Sequence, residues 1–241
     1  NIILKKFIYT IGFSIVANIF DKILTISKAT SIELKQDFKF PKEKLLVNYC
    51  GIQLNNNSIF KDKFYIIKQK KVGVIAELIS NKGVSVFVDA IPNILKKYPS
   101  VMFYIAGDGP ERSRLQDQVN RLELEDKIKF LGWVKDGKKV IEDMDIFVFP
   151  SLLSYDGLPR VILEAWSVGT PVVATKVACV PELIVNDIDG IVINPNKHQE
   201  ITKGVIDLLS NPNKARQIAE NAFEKVKFFS VNKEIATMEK I

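Results

Sequence analysis

Two acids flank a helix start. Phe147-Val-Phe-Pro-Ser151 reads as an apolar strand, and Tyr155-Asp-Gly-Leu-Pro-Arg-Val-Ile-Leu-Glu-Ala165 follows it. Asp156 falls just before a helix predicted to begin near Leu158, and Glu164 falls about two turns into it. A helix start carries unpaired N–H groups and the positive end of the dipole, which suit a phosphate. Gly157 lets backbone approach a ligand closely. Carboxylates accept hydrogen bonds from hydroxyls, so the two acids suit the sugars at either side of a diphosphate. Spacing alone also fits an ordinary capping Asp156 and a solvated helical Glu164.

Three further loops end predicted strands. In Val72-Gly-Val-Ile-Ala-Glu-Leu-Ile-Ser-Asn-Lys-Gly83, Lys82 sits between a strand and a helix, where its ammonium could meet a phosphate. A lone loop lysine is more often solvated. Gly107-Asp-Gly109 is a tight turn after Val101–Ala106, and Gly-x-Gly by itself is a weak dinucleotide signal. Gly132-Trp-Val134 closes a fourth strand. Trp133 could flank a flat base or pack at the core edge.

These loops need a scaffold. Strands and helices alternate along most of the 241 residues, which argues a parallel sheet covered on both faces. Lys22–Ile26 and Leu45–Tyr49 read as strands around a helix from Lys28 to about Asp37, capped by Ser27 and broken by Pro41. Gly51–Lys63 reads as a linker. A second series runs through strands at Lys71–Ala76, Val101–Ala106, Lys127–Leu131, Ile146–Pro150, Pro171–Thr175 and Gly190–Ile193. Helices are predicted at Val84–Tyr98, from Pro110 to about Leu124, Lys138–Asp143, Leu158–Val168, Glu200–Leu209 and Lys214–Val226, with a short one last.

Composition narrows the class. Apolar content of 47% and charged content of 26% fit a globular domain. Cys50 and Cys179 form no paired motif, which suits a reducing compartment. His198 is the single histidine, and its polar helical setting argues against a Ser-His-Asp triad or a histidine metal site. The net charge of +6 is uneven: residues 1–71 carry +8, residues 72–241 carry −2. A basic part can attract anionic lipid or a phosphorylated ligand, or be a lysine-rich solvated surface. The uncharged run Phe7–Phe20 is shorter than the roughly 20 residues of a bilayer span, and a buried helix or a membrane-surface helix fits it.

The ordered set of Val72–Gly83, Phe103–Pro110, Phe130–Trp133, Phe149–Ser151, Asp156–Ala165 and Pro181-Glu182 resembles the C-terminal domain of retaining family-four glycosyltransferases. The resemblance covers roughly residues 21–241. It implies an α/β fold of GT-B type, a Rossmann-like parallel sheet with helices on both faces. Residues 1–55 would be the tail of an N-terminal acceptor domain, 56–229 the nucleotide-sugar-binding domain, and 230–241 a final helix crossing back. Most of the N-terminal domain, with the acceptor site, would then lie outside this sequence. The chain alone would bind a nucleoside diphosphate weakly and transfer little sugar.

By the same resemblance Glu164 holds the donor ribose and Asp156, where the family usually has Glu, contacts the donor sugar. Gly157 and Leu158 supply backbone groups near the sugar and the distal phosphate. Lys82 binds the diphosphate, and backbone at Trp133 and Val134 meets the base. Two departures stand out. Glu77 replaces a phosphate-binding Arg common in the family, and Ala178-Cys179 replaces a glycine pair before Pro181-Glu182. The implied reaction moves a sugar from a nucleotide diphosphate sugar to a glycan or lipid-linked glycan, with retention and without a cofactor or an essential metal. Nucleic acid is not an expected partner. The expected location is the cytoplasm, with peripheral contact at the inner membrane face through the N-terminal domain. A nucleotide-sugar 2-epimerase of the same architecture is one rival, separated by turnover without acceptor. A non-catalytic nucleotide-binding module is another, separated by donor affinity.

Overall fold

The structure, a computed structural model, describes residue 12 and residues 19–54, 69–153 and 157–239. The predicted Phe7–Phe20 helix, the linker beyond residue 54, and Asp156 therefore lie wholly or largely outside the described residues.

The first unit is small. Strand β1 (Ile23–Thr25) runs parallel to β2 (Leu45–Val47), with Ile23 opposite Leu45. Helix α1 (Lys28–Phe38) makes the crossover. Ser27 caps it as expected, its hydroxyl accepting the Thr30 N–H at 3.0 Å.

The main sheet has six parallel strands: β3 (Lys71–Ile75), β4 (Met102–Ala106), β5 (Ile128–Gly132), β6 (Ile146–Phe149), β7 (Val172–Thr175) and β8 (Ile191–Ile193). Their spatial order is β5-β4-β3-β6-β7-β8. The strands alternate in which face they feed. Val72, Val74, Ile146 and Val148 point into one core with Phe87, Ile91 and Phe103. Phe147, Phe149, Val172 and Ala174 point into the other with Ile162, Trp166 and Val180. That period of two, apolar on both faces, is what a sheet buried between helices requires.

Helices α2 (Val84–Lys97), α3 (Arg112–Arg121) and α7 (His198–Ser210) cover the first face. The second is covered by α4 (Gly137–Glu142), α5 (Arg160–Ser167), the single turn α6 (Val180–Leu183) and the end of α8 (Pro212–Val226). The last helix, α9 (Val231–Met238), is capped by Ser230 and lies against the Asn48–Ile52 segment. Gly51 and Ile52, predicted as linker, are in fact paired: Ile52 donates to Phe229 O at 2.9 Å and accepts from Val231 N at 3.2 Å.

Two helix starts differ from expectation. Helix α3 begins at Arg112 because the Glu111 N–H is drawn to Leu78 O at 2.9 Å, leaving Pro110 in the preceding turn. Helix α5 begins at Arg160, because a residue before proline is disfavoured in helical geometry and Leu158 precedes Pro159. Glu164 therefore sits about one turn, not two, from the helix start. Among the described residues no helix is long and apolar enough to cross a membrane.

Candidate functional site

Strand order reverses between β3 and β6, and in an open parallel sheet the crevice at the carboxyl ends of such strands is where ligands bind. The loops lining it are tied together by backbone. Ala76 donates to Ala106 O at 3.1 Å, Leu78 to Asp108 O at 2.9 Å, and Gly107 to Gly132 O at 2.7 Å. Gly107 has φ +124, and a Cβ there would stand 1.8 Å from Ala76 O, so only glycine fits. Its role in this chain is to let the β3 and β4 loops close on each other.

Lys82 ends a single 3-10 turn, Ser80–Lys82, at the mouth of the crevice. Gly83 follows at φ +66 and packs so tightly on β6 that a Cβ would lie 2.0 Å from Pro150 O. Leu152 donates to Asn81 O at 2.8 Å across the same gap. The lysine predicted from sequence is thus anchored where β3 and β6 part. Glu77, in the same loop, is exposed, and no ion pair to it forms among the described residues.

Glu164 is half-buried on α5. Its Oε2 lies 3.8 Å from the Cβ position of Gly137, which puts the carboxylate against the start of α4, just after the β5–α4 loop. Burial pushes its pKa above the ordinary 4.5; Arg160 and Lys138 pull it back, and Asp136 adds to the rise. Trp133 and Val134 belong to that same loop. Trp133 is 75% exposed, so it does not pack in the core edge, and Val134 is half-buried.

At the other end of the site Leu158 is buried and Gly157 abuts the N-terminal unit: a Cβ on Gly157 would meet Ile26 Cδ1 at 2.5 Å. The Gly157 carbonyl accepts the Cys179 thiol at 2.9 Å. Asp156 itself is outside the described residues. Ala178 adopts φ +47, the left-handed region that glycine enters without cost and an alanine enters only with strain. A cleft of about 220 Å³ separates α1 from Gly157, Ala178 and Cys179.

Sequence reasoning gave Glu182 no role, yet it joins the two units. Its carboxylate accepts Lys28 N–H at 2.9 Å, Ala29 N–H at 2.5 Å and the Tyr49 hydroxyl at 3.0 Å. Lys28 and Ala29 are the first residues of α1, whose unpaired N–H groups need an acceptor. Pro181-Glu182 enters the family resemblance, but nothing local marks this joining role, because the groups Glu182 meets are far away in the chain. Among the described residues no group of three or more His, Cys, Asp or Glu is placed to hold a metal ion.

A parallel sheet covered on both faces, with its strand order reversed between β3 and β6, is the scaffold that the family-four resemblance implied. The family model for glycosyl transferases group 1 matches residues 56–225. The chain belongs to that family. Among group 1 relatives, an uncharacterised glycosyltransferase of Methanocaldococcus jannaschii is 30% identical over 236 residues, covering 91% of this chain and 60% of the relative. This chain thus spans well under two thirds of that relative's length. HepE of Anabaena, solved with UDP, superposes with a TM-score of 0.81 at 24% identity, covering 91% of this chain and 63% of HepE. The C-terminal domain of the group 1 protein LpcC from Francisella tularensis superposes with a TM-score of 0.62 at 25% identity, covering 74% of this chain and 96% of that domain. The fold is therefore the GT-B type of the group 1 glycosyl transferases.

Proposed function

We propose that this chain carries the donor site of a transferase that moves a sugar from a nucleotide diphosphate sugar to a glycan or lipid-linked glycan, with retention at the anomeric carbon. The observation that carries the reading is the half-buried Glu164 carboxylate, held beside the start of α4 at the carboxyl edge of the sheet. An acid kept partly out of water without a resident cation close enough to normalise its pKa is suited to receiving hydroxyl donors from a ribose. Trp133 and Val134 would flank the base, and Lys82 with the start of α5 would offset the charge of the departing diphosphate. In this reading residues 56–229 bind the donor, while residues 1–55 and 230–241 belong with the acceptor side. Departure and attack share one face of the sugar, and neither Asp156 nor Glu164 acts as a nucleophile. The basic bias of residues 1–71 suits an acceptor at an anionic membrane face.

The test separates the two acids by ligand. HepE was solved with UDP, so UDP and a UDP-sugar are the first probes, with GDP and a GDP-sugar second. Calorimetric titration should show Glu164→Gln losing roughly tenfold in nucleoside diphosphate affinity, the worth of a hydrogen bond to a charged group. Asp156→Asn should keep nucleoside diphosphate affinity and lose affinity for the full nucleotide-sugar. Equal nucleoside diphosphate affinity of Glu164→Gln and the parent would end the assignment.

A further inference from the structure

Helices α2 and α3 lie side by side on the first face of the sheet, and a cavity of about 330 Å³ opens between them, away from the crevice. It is lined by Ser85 and Asp89 of α2, by Arg114, Gln118 and Arg121 of α3, and by Leu122. That volume falls within the range of small-molecule sites. Leu115 and Val119 pack α3 on the core, and Gln118 shares their face, where an apolar side chain would pack without cost. Gln118 is 8% exposed. Its amide nitrogen donates to Ser85 O at 2.9 Å and to Asp89 Oδ1 at 2.7 Å. Both N–H groups are thus used, and turning the amide over would set its oxygen against two acceptors. The place of Oε1 is therefore fixed. It meets no donor among the described residues, and it is not sealed from the cavity. Donors stand nearby on α3. Arg121 uses only Nε, on Asp117 O at 3.4 Å, and Arg114 gives one terminal nitrogen to Glu111 at 2.9 Å. Their other N–H groups have no partner among the described residues.

We propose that this cavity binds sugar residues of a neutral glycan, the acceptor chain or its elongated product. Gln118 Oε1 and the Asp89 carboxylate require donors from a ligand, while Arg114 and Arg121 require acceptors. A hydroxyl is both at once, so a ring bearing several hydroxyls satisfies the whole set. A phosphate offers acceptors to the two arginines but sets its charge against Asp89 and leaves Oε1 unpaired. Leu122, 36% exposed, gives the C–H face of a ring an apolar wall. Ser85 lies in the first turn of α2, just past Lys82 and Gly83. Helices α2 and α3 follow the parallel strands β3 and β4, so both lead away from the carboxyl edge of the sheet. The cavity thus begins near the crevice rim and continues down the outside of the helices, a course that linked sugars can follow. The proposal rests on the family of the chain and not on the donor-site assignments of Lys82, Asp156 or Glu164.

The experiment follows the Gln118 side-chain amide and the Arg121 Nε–H by nitrogen–proton correlation spectra of the chain. The probes are maltopentaose, cellopentaose, mannopentaose and chitopentaose, with inorganic phosphate and UDP as separate arms. At least one oligosaccharide should shift both signals saturably, and phosphate should leave them in place. Arg114 and Arg121 are both exposed, so the double variant Arg114→Ala/Arg121→Ala should keep the parent fold. It should bind the same oligosaccharide roughly tenfold more weakly, the size expected for losing hydrogen bonds from charged donors. The proposal is overturned if no oligosaccharide moves the two signals. It is equally overturned if phosphate moves them more than any sugar does, or if the folded double variant binds as tightly as the parent. UDP should leave both signals in place, and UDP shifts at the cavity would also overturn the assignment to sugar. Shifts that UDP causes at the crevice, or fails to cause, bear on the donor-site reading alone.

Discussion

The carboxylate of Glu164 stands beside Gly137, its Oε2 3.8 Å from the position a Cβ would take there. Burial raises its pKa, so the folded state holds its proton more tightly than the unfolded chain does. A raised carboxylate pKa makes stability fall as pH climbs from the unfolded value through the folded one. Glu164→Gln removes that penalty. Thermal melts should show the variant above the parent at pH 7, with the gap closing as pH falls toward 4.5. A gap that stayed constant with pH would mean that burial of this acid carries no cost. Combined with weaker nucleotide binding, higher stability would mark Glu164 as an acid kept for a ligand.

Trp133 should behave as a surface residue in stability and as a site residue in binding. It is 75% exposed, so Trp133→Ala should change folding free energy by less than about 0.5 kcal/mol. Nucleotide binding should weaken several-fold where the ring flanks the base. Trp166, the other tryptophan, is fully buried. Emission that is red-shifted and quenched on adding nucleotide should therefore vanish in Trp133→Ala; quenching that survives would place the base elsewhere.

Glu182 links two units, and Tyr49 reports on it. The Tyr49 phenol is pushed up to about 12, first by burial and then by the Glu182 hydrogen bond and charge. In Glu182→Ala, spectrophotometric titration should find it lowered but still above 10, since burial remains. In the parent, stability should fall between pH 10 and 12, where the unfolded phenol ionises and the folded one does not. A double-mutant cycle of Glu182→Ala with Tyr49→Phe should show coupling of about 1 kcal/mol. Additive effects would mean that the 3.0 Å contact does not hold in solution.

Asp189 is a second joint, behind the site. It is 4% exposed, accepts Lys225 Nζ at 2.6 Å and receives Val185 N–H at 2.8 Å. The Lys225 ammonium also stands 5.5 Å from the centre of the Trp166 ring on α5. The Lys225 side chain is 26% exposed, so the ammonium that Asp189→Ala leaves behind stays partly solvated, and the variant should lose about 1–3 kcal/mol in denaturant melts. A loss under 1 kcal/mol would show that the pair is wetter than its burial suggests.

The sheet was legible because its strands are apolar on both faces, as Phe147-Val-Phe149 shows, and such runs alternate with periodic helices. The places of Lys82 in the loop after β3 and of Glu164 on the helix after β6 were legible from the same alternation. The start of α5 was misplaced by two residues because the restriction that Pro159 imposes on Leu158 outweighed the apolar pattern. Whether Trp133 was core or surface could not be read from its identity, because an aromatic after a strand suits either. Glu182 stayed silent for a different reason. Its partners lie 133 to 154 residues earlier, and nothing local in Pro181-Glu182 announces donors so remote. The same holds for Cys179, whose meaning depends on a carbonyl 22 residues away.

The pairing of Ile52 with the Phe229–Val231 segment also governs how the chain acquires its shape. Gly51 and Glu234, 183 residues apart, are bonded at 2.8 Å. Contacts that close so long a loop are among the last to form, since the entropy of closure precedes any gain from them. During synthesis the β1–β2 unit would emerge before the six-stranded sheet and then wait for Glu182, Phe229 and Glu234, while that sheet could complete itself from residues 69–226. Maturation of this protein thus has a built-in order: the sheet first, and the seam joining it to the small unit only once α9 has left the ribosome.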